Sequence, residues 1–322
     1  MTARDNVMVM VANAATPLDA RTERYRQAER SLWGHYGLEP TERFIDVDSP
    51  RVRLRVVEIG SGEPVLFVPG TAGTGPYWGA LVRELKGFRC LMLDRPGWGL
   101  SSPVDYSKYE YGTVVADVLR GALEALGLER AHVAGASIGG VWPLRLAATH
   151  PSRVGRIVLL GGGPLVPEIL PPAFVRLLAS PLGAIIVRLP QRSGMVRSIL
   201  RQGGHGASLD AGRIPDVFVD WRVALGRDTD SMRNERDMVR ALVSGRAFRP
   251  ALTFDDAELA AIGHPTLMVY GTADQVGTVD IWRRAMGVLP RGELHLVDGA
   301  GHLPWLDEPI QVGSRVRDFL SG

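Results

Sequence analysis

The chain has 322 residues, of which 45% are hydrophobic and 22% are charged, a composition typical of a globular protein and unlike a disordered or fibrous one. Its 37 basic and 35 acidic residues nearly balance and form no basic block, so we expect no nucleic-acid partner. The only cysteine, Cys90, excludes an internal disulfide and a cysteine metal cluster. No stretch is apolar for long enough to span a bilayer and no cationic region opens a signal peptide, so we expect a cytoplasmic protein without an integral membrane segment.

The first half of the chain alternates between apolar strands and helices. Residues 1–43 are predicted to form an N-terminal extension, in which a loose segment precedes a helix at 19–36. The alternation from residue 44 to residue 163 is typical of βαβ units, so we predict a mostly parallel central sheet flanked by helices, the α/β class. The predicted strands lie at 44–47, 52–59, 64–68, 90–93, 131–134 and 156–160, and the predicted helices at about 109–126 and 138–150.

The pattern changes after three consecutive glycines at 161–163. Residues 164–257 contain helical segments and proline or glycine breaks but no convincing strand, and we interpret them as an inserted helical cap. Strand patterns resume at 266–270 and 293–297, and a terminal helix is predicted at 309–320. Residues 258–322 are therefore predicted to complete the sheet.

The strongest functional pattern is Gly135-Ala136-Ser137-Ile138-Gly139, which follows one predicted strand and precedes a helix. A serine on such a tight turn adopts strained backbone angles and needs small neighbours where the strand and the helix crowd together. Glycines that only cap a strand would give a similar pattern, but the strand and helix context favours Ser137 as a nucleophile.

A serine hydroxyl needs a base, and the base needs a group that orients it. Of seven histidines, only His302 follows a late strand in a glycine-containing loop, so we predict it as the general base. Asp274 directly follows the strand at 266–270 and is the candidate orienting acid. Because catalytic groups of parallel sheets gather at the carboxyl ends of strands, Ser137, Asp274 and His302 are expected to converge.

An acyl-transfer reaction also needs hydrogen-bond donors for an oxyanion. The backbone N–H of Ile138 is one candidate, at the start of the predicted helix. The second candidate is Thr71, in the turn 69–73 after the strand that ends at Val68. This turn lacks the Gly-Lys-Ser/Thr ending of a phosphate-binding loop.

With these motifs, the chain resembles the α/β-hydrolase superfamily over about residues 44–322. The order nucleophile, acid, histidine matches that family, as do the turn 94–99 with Ser101 and the pair Gly301-His302. Relatives often carry His-Gly where this chain has Pro69-Gly70. The resemblance implies an α/β-hydrolase fold with an inserted cap, and a serine at position 137 argues against the branches that use an aspartate nucleophile.

The predicted activity is hydrolysis of a small, largely apolar carboxylic ester, thioester or lactone through an acyl-enzyme. Carbon–carbon bond hydrolysis, non-hydrolytic biosynthetic catalysis and ligand binding on the same fold stay open as alternatives. Tyr77, Trp78 and Trp142 are candidate substrate-binding residues, although packing of the cap on the core would equally account for them. We expect a small-molecule substrate and no metal or organic cofactor, and a homodimer stays possible.

Overall fold

The computed structural model describes residues 19–163 and 166–322. The loose segment predicted at the start of the extension and the first two residues of the predicted cap, 164 and 165, lie outside the described residues. Within the described residues, no helix is long and apolar enough to cross a membrane.

The described strands are β1 (Thr41–Asp48), β2 (Arg51–Ile59), β3 (Glu63–Val68), β4 (Phe88–Leu93), β5 (Ala131–Ala136), β6 (Val154–Leu160), β7 (Val243–Ser244), β8 (Ala247–Phe248), β9 (Thr266–Gly271) and β10 (Gly292–Val297). Eight of them form the core sheet, with the order β1-β2-β4-β3-β5-β6-β9-β10. In this sheet only β2 pairs antiparallel, with β1 on one side and β4 on the other, and the other pairings are parallel. This confirms the predicted α/β class and its mostly parallel sheet.

Helices cover both faces of this sheet, and each face carries its own hydrophobic cluster. The central strands are therefore buried on both sides, which explains why they read as continuous apolar runs rather than as alternating ones. The helices are α1 (Ala20–Tyr36), α2 (Gly79–Val82), α3 (Tyr111–Ala125), α4 (Val141–Thr149), α5 (Ala173–Ala179), α6 (Gly183–Ile186), α7 (Ser193–Leu200), α8 (Gly206–Asp210), α9 (Asp216–Asp228), α10 (Ser231–Leu242), α11 (Asp256–Ala260), α12 (Val279–Val288), α13 (Pro304–Asp307) and α14 (Pro309–Ser321).

Helices α5 to α10 lie within the segment predicted as a cap. The structure adds a two-stranded hairpin there, β7 paired with β8, which the sequence did not predict. The strands have two residues each, and Gly245 in their turn has a φ of +61°. Strands this short carry no readable alternation.

Helix α1 packs against α9 of the cap segment. The phenol of Tyr25 in α1 also lies 2.8 Å from the hydroxyl of Thr74, next to the turn that follows β3. The helical part of the N-terminal extension therefore contacts both the core and the cap.

The candidate site residues all follow the carboxyl ends of parallel strands. Thr71 follows β3, Ser137 follows β5, Asp274 follows β9 and His302 follows β10. The parallel strands point these ends to one edge of the sheet, which is where ligands of open α/β sheets bind.

Candidate active site

Ser137 sits on a sharp turn between β5 and α4. Its φ is +51°, in the left-handed region that non-glycine residues rarely adopt. A Cβ atom at Gly135 would lie 2.4 Å from the carbonyl oxygen of Gly139, and one at Gly139 would lie 2.4 Å from that of Val68. The turn therefore needs glycine at both positions, and it leaves the Ser137 side chain partly exposed.

Asp274 and His302 are brought together from two different strands. Oδ2 of Asp274 lies 2.8 Å from Nδ1 of His302, and Oδ1 accepts a hydrogen bond of 2.8 Å from the Val276 backbone N–H. The Asp274 carboxylate is fully buried and the His302 side chain is 20% exposed. With Nδ1 donating to the carboxylate, Nε2 of His302 is the nitrogen that can accept a proton.

Two glycines after β6 let Ser137 and His302 approach the same stretch of backbone. Gly161 and Gly162 have φ values of +60° and +136°. A Cβ atom at Gly161 would lie 1.6 Å from the His302 carbonyl oxygen, and one at Gly162 would lie 3.4 Å from Cα of Ser137. The run of three glycines at 161–163 therefore lies between Ser137 and His302.

The turn that follows β3 lies against Ser137. A Cβ atom at Gly70 would lie 2.9 Å from Cβ of Ser137, so Thr71, the next residue, borders the serine. Ala72 has a φ of +52°, and the N–H of Gly73 donates to the Gly70 carbonyl at 3.2 Å. The predicted oxyanion donors, Thr71 and Ile138, therefore flank Ser137, and their role stays a prediction.

A buried arginine, Arg95, stabilises this turn. Nη2 of Arg95 donates a 2.8 Å hydrogen bond to the Gly70 carbonyl, and its guanidinium lies 4.1 Å from the centre of the Trp98 ring. Arg95 belongs to the turn 94–99 that the sequence singled out as a family motif. Its contact with Gly70 joins that motif to the turn beside the nucleophile.

A second arginine, Arg222 of α9, enters the same region from the cap segment. Burial lowers the pKa of Arg222, and the electrostatic effects of Tyr77 and Glu235 oppose that shift without cancelling it. Among the described residues, no carboxylate lies within 4.0 Å of its guanidinium. The Arg222 side chain is partly exposed, and a partly buried cation without a close counter-ion favours an anionic ligand. The sequence did not single it out among the arginines of the chain.

A second histidine–carboxylate pair holds the backbone on both sides of His302. Nδ1 of His205 lies 2.8 Å from Oδ2 of Asp307, which also accepts from the Gly301 N–H at 2.8 Å. Nε2 of His205 accepts from the Leu303 N–H at 3.1 Å. His205 is almost fully buried, and no motif of the sequence singled it out.

This pair connects the cap segment to the histidine loop. His205 ends a π-helical turn, Arg201–His205, in which Gly204 has a φ of +91°. The His302 N–H donates to the Gly203 carbonyl at 2.8 Å, so three consecutive amides of the loop, 301–303, are held by residues 203–205 and by Asp307.

The candidate substrate residues occupy different environments. Tyr77 is buried beside Gly70, and its hydroxyl lies 3.4 Å from the position of a Cβ atom there. Trp78 is fully buried and stacks on Trp305 with ring centres 5.0 Å apart. Trp142 is fully buried and donates to the Tyr111 hydroxyl at 3.1 Å. Contact of any of the three with a substrate stays a prediction.

No metal centre accompanies this site in the part of the chain that the structure describes, where no three His, Cys, Asp or Glu side chains are grouped to hold an ion. The chemistry available from these residues is that of a nucleophilic serine, a histidine oriented by a carboxylate, backbone donors and a nearby cation.

Comparisons with known proteins agree with this architecture. A family model described as the alpha/beta hydrolase fold matches residues 63–192. A 2-hydroxy-6-oxononadienedioate/2-hydroxy-6-oxononatrienedioate hydrolase from Cupriavidus pinatubonensis is 28% identical over 292 residues, which cover 87% of this chain and 95% of that protein.

Two solved structures share the fold at lower identity. A meta-cleavage product hydrolase from Pseudomonas fluorescens aligns with a TM-score of 0.70 at 21% identity, over 87% of this chain and 97% of that chain. A carboxylesterase from Bacillus subtilis aligns with a TM-score of 0.68 at 20% identity, over 93% of this chain and 98% of that chain.

Proposed function

Because this chain has the α/β-hydrolase fold, we propose that it is a serine hydrolase that cleaves a carbon–carbon bond next to a ketone in an acidic substrate. The observation that carries the acidic substrate is Arg222, a partly buried cation that interacts electrostatically with Tyr77 and Glu235 and has no described carboxylate within 4.0 Å. The sequence favoured an ester, thioester or lactone and kept carbon–carbon hydrolysis as an alternative. The relatives support that alternative better.

The names of the relatives carry chemical information. A 2-hydroxy-6-oxononadienedioate contains two carboxylates, an enol hydroxyl and a ketone, but it contains no ester or amide bond. Hydrolysis of such a compound has to break a carbon–carbon bond beside the ketone. A substrate of this class would place a carboxylate where Arg222 can form a charge-assisted hydrogen bond.

The residues of the site suit such a reaction in two stages. Oγ of Ser137 adds to the ketone carbon while Nε2 of His302 takes its proton, and the N–H groups of Thr71 and Ile138 bind the resulting oxyanion. When the oxyanion collapses, the carbon–carbon bond breaks and its electron pair goes to the departing carbon, which takes the proton from His302. The ketone carbon remains as an acyl ester of Ser137.

Water completes the cycle. His302 takes a proton from a water molecule, whose oxygen attacks the acyl carbon, and the Ser137 oxygen leaves with that proton. The products are a carboxylic acid and the fragment released first. Throughout, Asp274 keeps Nδ1 of His302 protonated and stabilises the positive charge of the ring, because its carboxylate is buried 2.8 Å away.

The experiment compares two substrates with three variants. A synthetic 2-hydroxy-6-oxo-dienoate is followed by the loss of its dienol absorbance, and p-nitrophenyl butyrate serves as the neutral ester. We expect a higher kcat/KM for the keto acid and loss of both activities in Ser137→Ala. In Arg222→Gln, the KM for the keto acid should rise about 10- to 150-fold, since a hydrogen bond to a charged group is worth about 1.5–3 kcal/mol.

The matched control is Arg240→Gln, which removes an exposed arginine of α10. It should leave the KM for the keto acid unchanged. If the protein turns over only the ester, and the KM for the ester is the same in Arg222→Gln as in the wild type, the activity belongs to the ester class. Keto-acid turnover that survives Ser137→Ala would remove the covalent mechanism.

A further inference from the structure

An apolar surface lies on the cap segment. Eleven large apolar side chains are exposed in the described part of the chain, and six of them fall within twenty consecutive residues. Their exposed fractions lie between 45% and 59%. We call these six the cap patch: Leu170, Phe174, Leu177, Leu182, Ile185 and Leu189.

The exposure follows the helical period. In α5, Phe174 and Leu177 are exposed while Val175 and Leu178, one position further along, are buried. The helix thus packs one apolar face on the protein and presents a second apolar face to solvent, whereas a surface helix usually presents a polar one. Helix α6 contacts α5, and Ile185 continues the exposed surface there. A contiguous apolar surface of this kind indicates a binding partner.

The charges beside the cap patch are predominantly positive. The cavity next to Leu189 is lined by five arginines and two aspartates. Between Glu168 and Asp210 the chain contains five arginines and no acidic residue. Arg176, Arg188 and Arg192 have no carboxylate within 4.0 Å among the described residues. The other two arginines of this segment pair with acidic side chains that lie outside it.

We propose that the cap patch binds peripherally to the anionic surface of a lipid bilayer. Apolar side chains interleaved with arginine are the combination that inserts into the headgroup region, where the acyl chains take up the apolar groups and anionic headgroups meet the cations. A second copy of the chain fits less well, because a twofold interface would bring the three unpaired arginines against an identical set.

Vesicle cosedimentation tests this proposal with the full-length wild-type protein. Vesicles of phosphatidylglycerol and phosphatidylcholine in equal amounts should bind the protein, and pure phosphatidylcholine vesicles should bind it at least tenfold more weakly. Raising the salt concentration from 50 mM to 500 mM should release it, because the arginines contribute through a screened attraction.

Two double variants separate the apolar and ionic contributions. Phe174→Ser/Leu177→Ser should weaken binding at every salt concentration at which the wild type binds. Arg188→Glu/Arg192→Glu should weaken it at least about 25-fold at low salt, since each basic residue near an anionic surface contributes about a factor of five. The matched controls are Ile310→Ser, whose side chain is 70% exposed on α14, and Arg51→Glu at the start of β2.

The controls should bind like the wild type, and far-UV circular dichroism should show that all variants are folded. Equal sedimentation with anionic and neutral vesicles, or none with either, would overturn the proposal. The proposal would also be overturned if ultracentrifugation showed a dimer that the cap-patch substitutions dissociate and that stays intact in the presence of vesicles. The assay measures no turnover, so its result is independent of the proposed reaction.

Discussion

At the scale of single residues, the position of His302 depends on the buried pair His205 and Asp307. Burial acts to raise the pKa of Asp307, but hydrogen bonds, that from His205 first among them, outweigh it and keep that pKa below its usual range. An ionised Asp307 can accept from both His205 and the Gly301 N–H. We expect this pair to act as a positioning device, because a shift of about 1 Å in a catalytic group can lower turnover about 100-fold.

Two substitutions at position 205 separate its two hydrogen bonds. His205→Gln keeps an acceptor near the Leu303 N–H, and His205→Asn keeps only a donor toward Asp307. We expect kcat to fall in both with KM little changed, on the order of tenfold in the glutamine variant and more in the asparagine variant.

Steady-state kinetics and urea unfolding of the same preparations check this prediction. His35→Gln, an exposed histidine of α1, is the matched control and should show wild-type kinetics. If His205→Asn lost stability yet kept the wild-type kcat, the pair would have a structural role only.

At the scale of elements, a buried ion pair connects α1 to the sheet. Both carboxylate oxygens of Glu29 accept from Arg55 of β2, at 2.9 and 2.8 Å, and both side chains are almost fully buried. Asp94 and Glu42 also contact this guanidinium, so Glu29→Gln leaves Arg55 partly compensated. We expect this variant to lower the free energy of unfolding by about 2–3 kcal/mol.

Urea denaturation gives the measurement, and Glu23→Gln on the same helix gives the comparison. Glu23 pairs with Arg30 at 2.6 Å, but both side chains are about half exposed, so its loss should cost no more than about 1 kcal/mol. Equal effects of the two variants would show that burial of the Glu29 pair does not matter for stability.

Helix α1 also shows which structural features could be predicted from the sequence. Helix α1 was predicted at 19–36 and lies at Ala20–Tyr36, with Asp19 as its N-cap and Gly37 in the left-handed conformation at its end. These signals are local, so they can be read from neighbouring residues. The partners of α1, Thr74 and Arg55 among them, are distant in sequence and could not be read in that way.

The residues of the candidate site likewise fall into those that the sequence predicted and those that it did not. Ser137, Asp274 and His302 each follow a strand, so alternation of strands and helices was enough to place them at one edge of the sheet. His205 and Arg222 come from the cap segment, whose helices have no strand to fix their position. Their roles depend on how that segment folds over the core, which no local pattern encodes.

At the scale of the whole molecule, side chains of α10, among them the buried Glu235, connect the cap segment to the core. Oε2 of Glu235 accepts from Nε1 of Trp98 at 3.0 Å and lies 3.8 Å from Nη2 of Arg95. Asn234, its neighbour, donates to the Gly97 carbonyl at 2.7 Å. The turn 94–99 therefore contacts both the cap segment and the turn beside Ser137.

Burial raises the pKa of Glu235 above its usual value, and attraction to Arg95 only partly offsets this effect. The folded state therefore binds this proton more tightly than the unfolded state. Between the unfolded pKa and the raised folded pKa, the contribution of Glu235 to stability must fall as the pH rises, by at most about 1.4 kcal/mol per pH unit. A glutamine at this position cannot titrate and has no such slope.

We therefore expect the free energy of unfolding of Glu235→Gln, minus that of the wild type, to increase with pH above about 4.5. Taking the difference removes the titration of all other groups, Asp94 with its pKa raised to about 6 included. Guanidinium denaturation at half-unit intervals from pH 4 to pH 8 gives the curve. A difference that decreases with pH would mean that Glu235 is stabilised as a carboxylate, with Arg95 rather than burial as the dominant influence on its charge.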